Sequence, residues 1–305
     1  MSVQTLTTLT AENKKFYDKA LLARLLPELV FTKLGQQRSI PKNNGDTINF
    51  RKFNSLPLAT TPLTEGVAPA GSDLSVSAVE TTVKQYGDYV TISDKLDLMG
   101  IDPVLTETAA LLGEQAGITI DTIVRNELSQ GTNVQVANSK TRATITDDDK
   151  LTVTEIQKAV RTLRKANVKP MSDGCYVFVI DPECAYDIMN DSKWVDISKY
   201  ANTVQLMNGE VGKIAGVRVV QSTNISTVEG GSDNSVTVHQ NIMVGRDAFG
   251  VVDVDGTVKP EMIVIPAEVA GGPLKQKSTS GWKALFAAKR LNELGILRVE
   301  CAASV

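Results

Sequence analysis

The run Thr47–Phe53, TINFRKF, its sequel Leu56–Asp73, LPLATTPLTEGVAPAGSD, and the return Leu74–Ile92, LSVSAVETTVKQYGDYVTI, decide how this chain is read. The first reads as an extended strand, and the last alternates polar and apolar residues with a strand's period. The middle carries Pro57, Pro62, Pro69, Gly66 and Gly71, so it neither continues a sheet nor winds into a helix. Residues 40–92 are therefore expected to form two strands joined by a long tip. A two-stranded ribbon is marginal alone in water and needs a surface to lie on. No adjacent segment offers one, so the support is expected from another subunit, and the chain reads first as a protein of assembly. In the return arm the apolar parity changes from Leu74, Val76 and Ala78 to Val79, Thr81 and Val83, which predicts a bulge near Ala78 and Val79.

Before the ribbon, residues 1–15 read as an arm and Phe16–Leu26 as an amphipathic helix stopped near Pro27. After it, Asp102 and Pro103 open a helix that runs to Leu128 and ends at Gly131, a span of roughly 40 Å at ~1.5 Å per residue. Its apolar stripe is read as Leu105, Leu111, Leu112, Ile118, Ile123 and Leu128. Gly113 and Gly117 each cost about 1 kcal/mol in a helix interior, so they predict either close packing on another backbone or a kink. Residues 133–146 alternate like short strands, and Asp147–Asp149 form an acidic turn, a solvated loop with a cation site as the alternative. Thr152 and Glu155 have the spacing of a capping box and start a helix from Val153 to about Val168. Lys158, Arg161, Arg164 and Lys165 gather toward its C-terminal half, as the helix dipole favours, with a DNA-facing patch as the alternative. Cys175–Ile180 is a continuous apolar run closed by Asp181 and Pro182, a buried strand feeding another helix. Further strands are predicted at Val217–Gln221, Val236–Val244, Phe249–Val254 and Met262–Ile265, then a loop at Gly271 and Gly272 and an amphipathic stretch and strand within Trp282–Cys301. Helices and strands mix without a strict alternation, which predicts an α+β fold.

At 305 residues the chain can bury a full core in one large domain or two moderate ones. Its formal charge of −3 gives no long-range attraction toward nucleic acid. The Thr-rich start carries no secretory pattern, and no apolar run approaches the roughly 20 residues that span a bilayer. Cys175, Cys184 and Cys301 lack metal-ligand or redox spacing and read as buried thiols in a reducing cytoplasm. His239, the only histidine, falls in a strand pattern and is read as a satisfied strand residue rather than a base or ligand. GGPLKQKST, 271–279, lacks the glycine directly before its lysine that a phosphate loop requires. Asp253, Asp255 and Gly256 are read as a hairpin turn, because the later ligands of a calcium loop are absent. No catalytic, cofactor-binding or metal-ligating residue is assigned. A soluble α+β enzyme with the ribbon as a lid is the alternative of another class.

Taken in order, Tyr17–Gly35 (YDKALLARLLPELVFTKLG), 45–66 (GDTINFRKFNSLPLATTPLTEG), 213–224 (KIAGVRVVQSTN), 243–254 (MVGRDAFGVVDV) and 281–300 (GWKALFAAKRLNELGILRVE) resemble the major capsid proteins of tailed bacteriophages, in the group typified by short-tailed phages. No segment is a chemical motif by itself; the resemblance lies in their collinear combination. It implies the capsid fold named after the Hong Kong 97 phage. On this chain that places an N-terminal arm and helix at 1–39, an extended loop at 40–92, a peripheral domain with a spine helix at 93–148, an axial domain at 149–258 and a return to the peripheral domain at 259–305. It also implies a homo-oligomer of hexamers and pentamers in an icosahedral shell enclosing double-stranded DNA without sequence-specific binding. The expected location is the virion, and the host cytoplasm during assembly. A portal and, because only about forty residues precede the ribbon, a separate scaffolding protein are the implied partners; no membrane and no cofactor are implied. Candidate inter-subunit contacts are Arg51, Phe53, Leu63, Glu65, Val76 and Glu80. Lys42, Lys52 and Lys84 qualify by residue type alone for the loop crosslink that some relatives make. An encapsulin-type compartment, with the same fold around an enzyme cargo, is the alternative.

Overall fold

A computed structural model of the chain describes residues 30–41, 43–54, 56–63, 65–66, 71–99, 104–194, 210–231, 233, 235–254, 260–266 and 274–304. The helix expected at Phe16–Leu26, the cap at Asp102 and Pro103, and Lys42, Asp255, Gly256, Gly271 and Gly272 lie outside these residues. The strands are β1 (Gln36–Ile40), β2 (Thr47–Phe53), β3 (Val76–Thr82), β4 (Lys84–Ser93), β5 (Val134–Val136), β6 (Tyr176–Ile180), β7 (Glu210–Ile214), β8 (Val217–Gln221), β9 (Ser226–Gly230), β10 (Val236–Val244), β11 (Phe249–Val254), β12 (Glu261–Ile265), β13 (Lys277–Arg290) and β14 (Ile296–Cys301). The α-helices are α1 (Asp94–Met99), α2 (Val104–Ser129), α3 (Val153–Lys165) and α4 (Pro182–Asn190).

A seven-stranded mixed sheet runs β5-β14-β10-β6-β8-β7, with β9 also on β10. Its centre is β6, YVFVI, in which every residue is buried. Such a strand must be covered on both sides. Tyr176, Phe178 and Ile180 face α3 and α4 through Ile156, Leu163 and Ile188. Val177 and Val179 face the other way, onto Ile120, Val124 and Leu128 of α2. Helix α3 begins where expected, with Thr152 Oγ1 accepting from the Glu155 amide, and α4 is capped by Asp181 with Pro182 in its first turn.

The 26 residues of α2 also close over a five-stranded sheet, β1-β11-β13-β12 with β4 along the free side of β13. The face of α2 turned inward is Ala109, Leu112, Gly113, Ala116, Gly117, Ile120, Val124 and Leu128. This corrects the stripe expected from the larger side chains: Leu111 and Ile118 point outward and are exposed. Alanine and glycine occupy the inner face because they let a helix approach a sheet closely. Trp282 of β13 fixes the approach, its Nε1 donating to Gln115 Oε1 at 3.0 Å while Gln115 Nε2 donates to Asp88 Oδ2 of β4 at 2.7 Å.

The ribbon is β2 paired with β3, from Thr47 opposite Thr82 to Phe53 opposite Val76 without a shift in register. The bulge expected at Ala78 and Val79 is therefore absent. The parity change instead reflects apolar residues on both faces of one regular strand. Support also comes from within the chain: β4 continues the return arm and pairs with β13 from Lys84 opposite Phe286 to Ser93 opposite Lys277. At the ribbon's base Ile48 and Phe50 pack on Ile40, Val83, Val252 and Ala287. The Phe50 ring fills the place a side chain would take at Gly250, with Cζ 2.6 Å from where a Cβ would stand.

Three buried carboxylates tie loops to this frame. Asp121 of α2 accepts from the Val30 and Phe31 amides at 3.1 and 2.9 Å and from Asn224 Nδ2 at 3.0 Å. Burial raises its carboxyl above the usual range, against those hydrogen bonds. Glu300 of β14 meets Arg142, Arg298 and Gln240; burial pushes its carboxyl up, but the arginines outweigh it and hold the group below its ordinary value. Asp149 corrects the expected solvated turn. Only Asp147 and Asp148 are exposed, while Asp149 is buried and accepts from Asn138 Nδ2, Lys140 Nζ and the Thr146 amide, each at 2.7 Å. Burial again acts upward, yet the hydrogen bonds prevail and lower the carboxyl to about 2. Asn138 and Ser139 adopt left-handed backbone there, so residues 133–146 form one short strand and two 3-10 turns rather than a run of strands. Asp253, expected in a turn, lies instead within β11 opposite Ser39 and Phe286.

Two outcomes are expected. Gly250→Val drives a branched side chain into the Phe50 ring and should cost about 1–3 kcal/mol by overpacking, read from chemical denaturation, whereas Phe50→Leu combined with it should recover part of the loss. Because the Asp149 carboxyl is depressed when folded, its contribution is complete above the unfolded value near ~3.9 and fades as pH falls toward about 2. The stability difference between wild type and Asp149→Asn should therefore be constant at neutral pH and shrink steadily below ~pH 4; an unchanged difference in acid would contradict the assignment.

Candidate assembly surface

Cross-strand partners in an antiparallel pair share a face. The face of β2 and β3 turned away from the body thus carries Thr47, Asn49, Arg51 and Phe53 opposite Thr82, Glu80, Ala78 and Val76. Four of the expected contact residues, Arg51, Phe53, Val76 and Glu80, are brought together there, with Phe53 directly opposite Val76. Phe53 is 68 % exposed, an unusual state for a side chain of its size. Among the described residues neither Arg51 nor Glu80 meets an opposite charge. Leu63 and Glu65 lie on the tip, Leu63 74 % exposed, and the structure shows no contact between them and the other four.

Where the strands end, Asn54 closes them: its amide donates to Ser75 O at 3.0 Å, its Nδ2 to Ser75 Oγ at 3.1 Å, and Ser77 Oγ donates to its Oδ1 at 2.8 Å. Beyond this clamp the described tip has no regular structure and exposes Leu56, Leu58 and Leu63, with Leu74 on the return. Leu58, at 88 %, is the most exposed of these, and the sequence reading missed it together with Leu56 and Leu74. The signal of Leu56 and Leu58 was legible: they flank Pro57 in a segment that neither continues a sheet nor winds into a helix. Beneath the ribbon's inner face, past Phe50, lies a cleft of about 700 Å³ lined by Arg38, Lys52, Lys169 and Arg246. The outer ribbon thus stands clear of its own subunit.

The remaining polar groups divide between scaffold and surface. In α3, Lys158 Nζ pairs with Glu155 Oε1 at 2.6 Å, so the basic group is not one free patch; Arg161, Arg164 and Lys165 are exposed. His239 departs from the satisfied residue expected. It is buried on β10, its Nδ1 has no hydrogen-bond partner and stands 3.6 Å from Asp181 Oδ2, and its Nε2 stands 3.3 Å from Glu183 Oε2. The thiols Cys184 and Cys301 are buried and free, as expected, whereas Cys175 is half-buried. Among the described residues no helix is long and apolar enough to cross a membrane.

Residues 76–299 match the family model for phage capsid protein. Among solved structures, the capsid of Ralstonia phage GP4 aligns with a TM-score of 0.71 at 14% identity, covering 89% of this chain and 88% of that one. The capsid of cyanophage P-SCSP1u aligns with a TM-score of 0.67 at 16% identity over 90% and 88%. The virus-like particle from Pyrococcus furiosus aligns with a TM-score of 0.55 at 11% identity over 93% and 98%. No curated protein matches the chain. At these identities the structures establish the fold, an α+β capsid fold of the Hong Kong 97 type, and the family model spans most of the sequence: the chain belongs to the phage capsid protein family.

Proposed function

We propose that the ribbon is the element through which this capsid subunit joins its neighbours in hexamers and pentamers. Arg51, Phe53, Val76 and Glu80 on the outer face and Leu63 and Glu65 on the tip would make the contacts. In this reading residues 40–92 are the extended loop, α2 the spine helix, 149–258 the axial domain, and 259–305 the return to the peripheral domain. The observation that carries it is the line of exposed apolar side chains Phe53, Leu56, Leu58, Leu63, Leu74 and Val76 on an arm whose base is fixed. Burying each on a neighbour is worth about 1.5–3 kcal/mol before ordering costs, so a contact too weak alone becomes decisive when every subunit repeats it.

A closed shell of this family encloses double-stranded DNA, and the chain's formal charge of −3 fits a lining that does not grip it. Every firm phosphate contact releases counterions and would immobilise packed genome. The exposed cations Arg161, Arg164 and Lys165 are the exception to test. A portal and a separate scaffolding protein are proposed as further partners.

Deleting Leu56–Ser72 should leave a folded subunit that assembles poorly, and Phe53→Ser with Val76→Ser should raise the critical concentration for assembly at least ~10-fold, about 1.4 kcal/mol per subunit. Closed shells of normal size from the deletion, seen by electron microscopy, would sink the assignment. Shells isolated from infected or lysogenic cells should hold nuclease-protected DNA; a packaged enzyme in its place would favour the compartment reading. The free subunit should bind double-stranded DNA only weakly at physiological salt, and tight, salt-sensitive binding lost in an R161Q/R164Q/K165Q variant would show a DNA-gripping lining instead.

A further inference from the structure

We propose that Asp181, Glu183 and His239 form a binding site for one divalent transition-metal ion of the zinc class, a structural site that plays no part in catalysis. One ring nitrogen of His239 and one oxygen from each carboxylate all lie within 4.8 Å of one another. An ion centred among donors no farther apart than this stands at most about 2.8 Å from each, so closing to bonds of ~2.1 Å needs movements of at most about 0.7 Å. The residues differ in their freedom to do so. Asp181 is held as the cap of α4, its Oδ2 accepting from the Glu183 amide at 3.2 Å, whereas the Glu183 side chain is 58 % exposed and can swing inward.

The independent pointer is the imidazole. His239 is only 5 % exposed, and its buried Nδ1 makes no hydrogen bond, although most buried polar atoms are paired. At 3.6 Å from Asp181 Oδ2 it is too distant for a direct hydrogen bond but well placed for a shared ligand between them. A nitrogen with two carboxylates suits zinc, cobalt or manganese better than calcium or magnesium, which favour all-oxygen shells. Two carboxylates also balance a divalent charge, which the positive end of α4 would otherwise repel.

The location gives the ion a purpose. Strand β6 pairs with β10 only along Ile242–Val244, and the last tie between the two segments is the Asp181 amide donating to Asn241 Oδ1 at 3.0 Å. His239 is the next residue of β10 on that face, so an ion there would staple the start of α4 to β10 where the strand pairing has run out. The nearby thiols are the competing ligands. Cys184 and Cys301 are 3.6 Å apart, and Asn241 Nδ2 donates to their sulfurs at 3.4 and 3.2 Å, so the thiols are engaged with one another and with Asn241 rather than with the carboxylates.

The test uses full-length protein in assembled shells, stripped with a chelator, dialysed against zinc or cobalt and analysed for bound metal. About one ion per subunit is expected. Glu183→Gln, a change at an exposed side chain, should weaken affinity at least ~10-fold, His239→Gln should abolish binding, and Cys184→Ser should leave it unchanged. Absence of bound metal, or full binding by Glu183→Gln shells, would overturn the proposal. So would a cobalt complex whose near-ultraviolet thiolate absorption disappears in Cys184→Ser, since the ion would then belong to the thiols.

Discussion

The pairing of β4 with β13 is the constraint on which the rest of the subunit depends. It joins Lys84–Ser93 to Lys277–Phe286 along a shared edge, and so turns the return arm of the ribbon into a member of the body's sheet. A free hairpin would sample many directions and lose most of its contact energy to ordering. Here the direction is set before any neighbour arrives. Phe50, seated in the notch at Gly250, fixes the other strand, and the Gln115 bridge between Trp282 and Asp88 locks the paired strands to α2. Beyond the Asn54 clamp the described tip has no regular structure of its own.

Around this frame the buried acids do a different task. Asp121 gathers the Val30 and Phe31 amides from about ninety residues away, Glu300 the side chains of Arg142 and Gln240, and Asp149 closes its own loop by accepting from Asn138, Lys140 and the Thr146 amide. They oppose one another in titration: burial dominates at Asp121, while hydrogen bonds and arginines dominate at the other two. Acid therefore weakens the loop at Asp149 and the β14 cluster but relieves the cost of keeping Asp121 ionised.

Much of this was legible in the sequence where one local signal sufficed. YVFVI announced a strand buried on both faces, Thr152 with Glu155 a helix start, and β8, β10 and β11 were bounded by their own patterns. What failed needed tertiary information. QQRSI does not look like a strand, because β1 is defined by its parallel pairing with β11 rather than by its side chains. The parity shift at Ala78 predicts a bulge only where all apolar residues of a strand share one face, whereas β3 carries them on both faces in an unbroken register. Leu111 and Ile118 outranked the alanines and glycines of α2 in hydrophobicity while the smaller residues decided the packing. His239 looked isolated because its carboxylates, Asp181 and Glu183, lie almost sixty positions earlier.

The late position of β13 also sets a clock. Strand β4 has no partner in the sheet until Lys277–Phe286 has been synthesised, nearly two hundred residues after it. At translation rates of ~5–20 residues per second the ribbon spends about ten seconds or more without its anchor. During that interval its leucines are attached to a loose hairpin that offers neighbours no fixed geometry. Until then the unpaired edge of β4 and the exposed leucines beside it are the kind of surface through which nascent chains aggregate, so the late arrival of β13 makes synthesis the exposed phase of this subunit's life.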